Sequence, residues 1–163
     1  DANRPASSGQ ERNDMEEKKT QVFTDGGAHG NPGPGGWAYV IVKDSELLES
    51  SGAEVHTTNN RMELTAAIRA LERLQSHDAA IVLHTDSTYV QQGISNWIHN
   101  WKRKAWKTAG GKPVKNQDLW RELDELSSSM NISWKWVKGH AGNLHNERCD
   151  TLVQLAIAAL ESD

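Results

Sequence analysis

The chain has 163 residues, 36% of them hydrophobic, with 22 Asp and Glu against 18 Lys and Arg, a net charge of −4 and a single cysteine. That length suits one domain with a real core, the lone Cys149 excludes an internal disulfide framework, and a mean hydropathy of −0.71 without any long apolar run excludes a membrane span. Taken as a sum, the charge offers no attraction to phosphate and argues against a nucleic-acid partner.

Residues 1–19 are polar, open without an apolar leader and are expected to form a disordered extension, leaving 20–163 as the folded domain. Residues 20–27 (TQVFTDGG) predict a strand. A turn-rich stretch, 30–36 (GNPGPGG), separates it from a second strand at 37–43, and 47–57 supplies a third, so the opening reads as an antiparallel meander. Residues 59–75 switch to helical spacing, with Leu64, Ala67, Ile68, Leu71 and Leu74 on one face and Asn60 as the expected N-cap. Residues 79–85 (AAIVLHT) form a compact apolar run, suited to a strand buried inside a sheet, that ends at Asp86. From Ser87 the pattern is helical again. A further helix is expected at 117–127, an alternating strand at 131–137, a loop at 139–143, and a last helix with an apolar stripe of Cys149, Leu152, Val153, Ala156 and Leu160. The order βββ-α-β-helices-β-α indicates an α/β domain with a mixed sheet.

Four acids stand out by their surroundings: Asp25 in FTDGG, Glu63 in NNRMEL, Asp86 in LHTDST and Asp150 in NERCD. Asp25 lies inside an otherwise apolar strand and Asp86 ends another, positions where a carboxylate is costly unless paired or bound to metal. Mg²⁺ is held by a few carboxylate oxygens together with waters and phosphate oxygens, and acids brought from two strands and two helices can supply such a site. Each acid also has a plainer reading: Glu63 in a capping box with Asn60, Asp86 as a helix cap, Asp150 as a solvated helix residue. The four together call for another explanation.

The stretch Gly33-Pro34-Gly35-Gly36-Trp37-Ala38 formally fits a dinucleotide fingerprint, but it precedes a strand rather than a helix and is rejected. His140, His145 and Cys149 have spacing that invites zinc, yet Cys149 falls on the apolar stripe and a fourth ligand is missing. His140, in the glycine-flanked KGHAGN segment, is better suited to moving protons near neutral pH. Residues 87–117 contain no acid but carry Lys102, Arg103, Lys104, Lys107, Lys112 and Lys115 among Trp97, Trp101 and Trp106. That +6 segment points to phosphate and base contact, and its local charge outweighs the net −4 as a guide to partners.

Together TDGGAHGNPGPGGWA, TTNNRMELTAAIRAL, HTDSTYV, WKTAGGKPVKNQDLW and WVKGHAGNLHNERCD resemble the type 1 ribonuclease H family, its bacterial branch in particular, over roughly residues 21–158. The resemblance implies a ribonuclease H-like fold, a five-stranded mixed sheet flanked by helices. It also implies an endonuclease that hydrolyses the RNA strand of an RNA/DNA hybrid with two Mg²⁺ ions, for which Mn²⁺ can substitute, leaving 5′-phosphate and 3′-hydroxyl ends. By motif position, Asp25, Glu63, Asp86 and Asp150 are the implied metal-binding carboxylates, and His140 assists proton transfer or product departure. Asn31, Asn59 and Asn60 match positions near the RNA strand, and Thr58 matches a phosphate contact on the DNA strand. Trp97, Trp101 and Trp120 match a channel for the DNA strand, and Lys102, Arg103 and Lys104 belong to a basic protrusion. The family implies a monomer acting in the cytoplasm. Thr88, Ala28 and the proline-free GHAGNLHNE loop depart from the pattern. Two alternatives share the fold: a non-catalytic hybrid-binding module, which predicts erosion of the four acids, and a DNA-cutting integrase or resolvase relative, which leaves the basic tryptophan-bearing stretch and the asparagine pair unexplained.

Overall fold

A computed structural model describes residues 19–75, 80–138 and 142–162. Its sheet has five strands in the order β3-β2-β1-β4-β5: β1 Thr20–Ala28, β2 Gly33–Lys43, β3 Glu46–Thr57, β4 Ile81–Thr85 and β5 Ile132–Trp136. β1, β2 and β3 are antiparallel neighbours, β4 runs parallel to β1, and β5 runs parallel to β4. The helices are α1 Asn59–Arg73, α2 Thr88–Gln92, α3 Ile98–Arg103, α4 Gln117–Ser128 and α5 Leu144–Glu161, with a π-helical turn, Gly93–Trp97, joining α2 to α3.

Alternation along the strands builds two cores. Val22 and Ile41 face one side, where Leu64, Ile68 and Leu71 of α1 and Trp120 and Leu123 of α4 enclose them. Phe23, Ala38 and Val40 face the other, against Cys149, Val153 and Ile157 of α5. Every residue of β4 is buried, as a parallel strand between two neighbours requires. The α1 stripe matches its expected face. Met62, Ala66 and Ala70 are buried as well, because α1 lies between the sheet and α4.

Several boundaries depart from expectation for identifiable reasons. β2 begins at Gly33, inside the stretch read as turn, because Gly35 and Gly36 pair with Ala28 and Gly27. Helix α1 is capped by Thr58, whose hydroxyl accepts from Arg61 N at 3.2 Å, so the expected cap Asn60 lies within the first turn. Ser87, not Asp86, caps α2 by accepting from Val90 N at 3.1 Å. The buried line of α5 is Cys149, Val153 and Ile157, four residues apart, with Leu152, Ala156 and Leu160 only half-buried beside it. The reading of 1–19 as an extension lies outside the described residues apart from Lys19.

Candidate active site

The parallel register places Phe23 beside His84, and their rings stack at 4.3 Å and 14°. Two residues further along the chain from each, on the same face, stand Asp25 and Asp86. Helix α1 delivers Glu63 from the opposite side, over Gly26. A Cβ on Gly26 would stand 2.4 Å from the Met62 carbonyl carbon and 2.5 Å from Glu63 N, so glycine alone permits this approach. Carboxylate oxygens of Asp25, Glu63 and Asp86 consequently lie within 4.8 Å of one another. Helix α5 docks beside them: the Cys149 thiol donates to Phe23 O at 3.3 Å and the His145 ring tilts against Phe23 at 4.8 Å. This turns Asp150 toward the strand ends, outside the tight group yet near enough for its charge to act on Asp25.

The electrostatics record the crowding. Burial, then the charges of Asp86 and Asp150, push Asp25 up to about 7, against a smaller opposing pull from the Gly26 N–H. Burial also raises Glu63 well above the usual carboxylate range, reinforced by Asp25 and by Asp86, with which it shares a hydrogen bond in its protonated form. Glu63 Oε1 is buried without a hydrogen-bond partner. A buried, unsatisfied acceptor amid like charges is unstable on its own terms, and an oxygen-seeking divalent cation satisfies both defects. The donor set therefore fits such an ion. Cys149 fits a zinc site poorly: its thiol is buried and donates to the Phe23 carbonyl.

Two further surfaces flank the acids. On one, Asn31 Oδ1 accepts from Asn59 N at 3.0 Å and Asn59 Oδ1 accepts from Ala28 N at 2.6 Å, which locks the β1–β2 turn to the start of α1. Both residues are exposed, and among the described residues their amide N–H groups have no partner. On the other, Tyr89, Trp97, Trp101 and Trp120 form a ring cluster with centroids 5.3–5.8 Å apart. Trp97 is 38% exposed and Trp101 half-buried, but Trp120 is fully enclosed, its indole N–H donating to Tyr89 Oη at 2.9 Å. Lys102, Arg103, Lys104, Lys107, Lys112 and Lys115 are all exposed beyond the cluster, around a loop closed by the Lys107–Pro113 bridge.

The RNase H family profile matches residues 17–158. The chain belongs to the ribonuclease H family. It is 55% identical over 140 residues to "Ribonuclease H" of Aromatoleum aromaticum, covering 86% of this chain and 91% of that one. It is 56% identical over 143 residues to the Pectobacterium atrosepticum protein of the same name, covering 87% and 92%. Among solved structures, LC11-RNase H1 in complex with an RNA/DNA hybrid matches with a TM-score of 0.67 at 28% identity, over 87% of this chain and 99% of that one. Ribonucleases H are metal-dependent nucleases, and among the described residues Asp25, Glu63 and Asp86 form a group that could hold a metal ion.

Of the four acids singled out in the sequence, the structure brings Asp25, Glu63 and Asp86 together, while Asp150 stands outside that group and acts on Asp25 through its charge. Thr58, Asn59 and Asn60 sit together at the N-terminus of α1, with Asn31 bonded to Asn59. Trp120 departs from its expected part as a channel wall, since an enclosed ring can only support Tyr89 and Trp101 from behind. His140 lies outside the described residues; the flanking Val137 N bonds Thr85 O at 2.8 Å and Asn143 caps α5. Three residues escape a reading of the sequence. Tyr89 accepts from both Trp120 Nε1 and Asn116 Nδ2, Asn116 accepts from Arg61 Nη1 at 3.2 Å in a left-handed conformation, and Trp136 bonds the Asp86 backbone. An asparagine ahead of a helix hints at the second; the partners of the others are remote in sequence.

Proposed function

We propose that this family member is an endoribonuclease that hydrolyses the RNA strand of an RNA/DNA hybrid, with Asp25, Glu63, Asp86 and Asp150 holding two Mg²⁺ ions and the products carrying 5′-phosphate and 3′-hydroxyl ends. The observation that carries the reading is the half-buried carboxylate cluster with its buried, unsatisfied Glu63 oxygen, set between an amide-bearing turn and a basic aromatic surface. When bound, a pair of divalent ions activates water and stabilises the charge that develops on the leaving oxygen. Asp25 and Glu63 serve it as ionised carboxylates, their protons displaced by the cation.

The amides of Asn31, Asn59 and Asn60 reach the RNA strand, where 2′-hydroxyls offer both donor and acceptor. The Thr58 hydroxyl and the N-terminus of α1 face a DNA phosphate. Trp97 and Trp101 pack against DNA sugars, with Trp120 and Tyr89 bracing them, while Lys102, Arg103 and Lys104 engage backbone phosphates without reading bases. His140 moves the proton of the attacking water or of the departing oxygen. An intact acid set is what a binding-only module would not need to keep. Asp86→Asn is expected to abolish turnover while hybrid affinity, measured by fluorescence anisotropy, stays within a few-fold of wild type; a wild-type rate in that variant would remove Asp86 from the site.

A further inference from the structure

Trp136 ends β5 beside the carboxylate cluster and plays no part in the chemistry above. Its side chain is 42% exposed, an unfavourable setting for the largest apolar ring in the alphabet. Its one polar atom is engaged: the indole N–H donates to the backbone carbonyl of Asp86 at 3.2 Å. The last rung between β4 and β5 pairs Thr85 with Trp136, and Val137 N bonds Thr85 O at 2.8 Å. Beyond that rung the ladder stops, because Ser87 N turns back to Thr85 Oγ1 at 3.1 Å and Ser87 begins the cap of α2. Asp86 therefore stands on a single unladdered peptide between a strand and a helix, and the carbonyl of that peptide is held from the neighbouring strand by a side chain.

We infer that Trp136 is a positioning residue for Asp86: its indole N–H fixes the Asp86 peptide, and through it the direction of the carboxylate toward Asp25 and Glu63. This rests on the metal-site reading proposed above. Groups that orient a ligand from behind commonly change metal affinity 10- to 100-fold when lost, and contact through a backbone carbonyl belongs at the low end. An indole combines the reach from β5 with a single uncharged donor and no acceptor.

The test compares the full chain with Trp136→Phe and with site-specific replacement of Trp136 by 3-benzothienylalanine, which keeps the fused ring but has no N–H. Mg²⁺ binding is measured calorimetrically without nucleic acid, melting temperature in chelator, and hybrid affinity in Ca²⁺. Both variants are expected to bind Mg²⁺ roughly tenfold more weakly, with unchanged hybrid affinity and a melting temperature within about 2 °C of wild type. Wild-type Mg²⁺ affinity in the benzothienyl variant would overturn the inference. So would weakened hybrid binding with Mg²⁺ affinity intact, which would make the ring a substrate contact instead. Asp86→Asn run alongside separates the two levels: if it too binds Mg²⁺ like wild type, the metal site itself has been misplaced.

Discussion

Asp25 is held in a state that the isolated fold disfavours. Its folded value of about 7 lies above the ordinary 3.8, so the folded protein binds the proton more tightly than the unfolded chain does. Without metal, that group's contribution to stability is therefore most favourable below pH 4, declines as pH rises toward 7, and above that is a full penalty. Asp25→Asn removes the penalty and is expected to stabilise the metal-free protein by about 1–3 kcal/mol at pH 8 and by almost nothing at pH 4. Denaturant melts of both proteins in chelator at the two pH values measure the gap; a gap that does not widen with pH would mean the carboxylates are not crowded. The positions of the acids were legible in the sequence because an Asp in an apolar strand is conspicuous. The plainer roles of Glu63 and Asp86 as caps could not be dismissed there, since only the backbone shows that Thr58 and Ser87 already fill them.

At the scale of elements, the site is a consequence of how closely α1 lies on β1. Gly26→Ala would drive a methyl group into the Met62–Glu63 peptide, and backbone cannot swing away as a side chain can. A loss of about 2–3 kcal/mol in chemical denaturation is expected, with weakened Mg²⁺ binding because Glu63 is displaced with its helix. Trp120→Phe tests the aromatic support. It deletes the bond to Tyr89 Oη and leaves a void behind Trp101, so about 2–4 kcal/mol of stability should be lost even though no substrate atom touches the ring. Unchanged stability would return Trp120 to the surface role implied by resemblance. Element types were readable from periodicity, most clearly in α1 and β4. The early start of β2 was not, because glycines that pair across strands resemble glycines that turn. Nor was the π-helical turn, where Gly93 admits the Trp120 ring so closely that a Cβ would lie 2.0 Å from it.

Over the whole molecule, charge is divided rather than balanced. A net −4 comprises a +6 stretch at residues 87–117 and a net −10 elsewhere, part of it the acids that a cation neutralises. The exposed positions of the basic residues place that +6 on a single protruding surface. Replacing Lys102, Arg103 and Lys104 together by alanine is expected to make the log–log salt dependence of hybrid binding shallower by about 2–3, with kcat at saturating hybrid unchanged. A parallel drop in kcat would place these residues in the chemistry instead. A metal-dependent cut confined to one strand of one kind of duplex is what the divided charge and the clustered acids together serve. The most direct measurement labels each strand in turn in RNA/DNA, RNA/RNA and DNA/DNA duplexes and follows cleavage in Mg²⁺ and in chelator. Cutting of the RNA strand of the hybrid, in Mg²⁺ alone, is the predicted result; comparable cutting of DNA/DNA, or cutting that survives chelation, would contradict it.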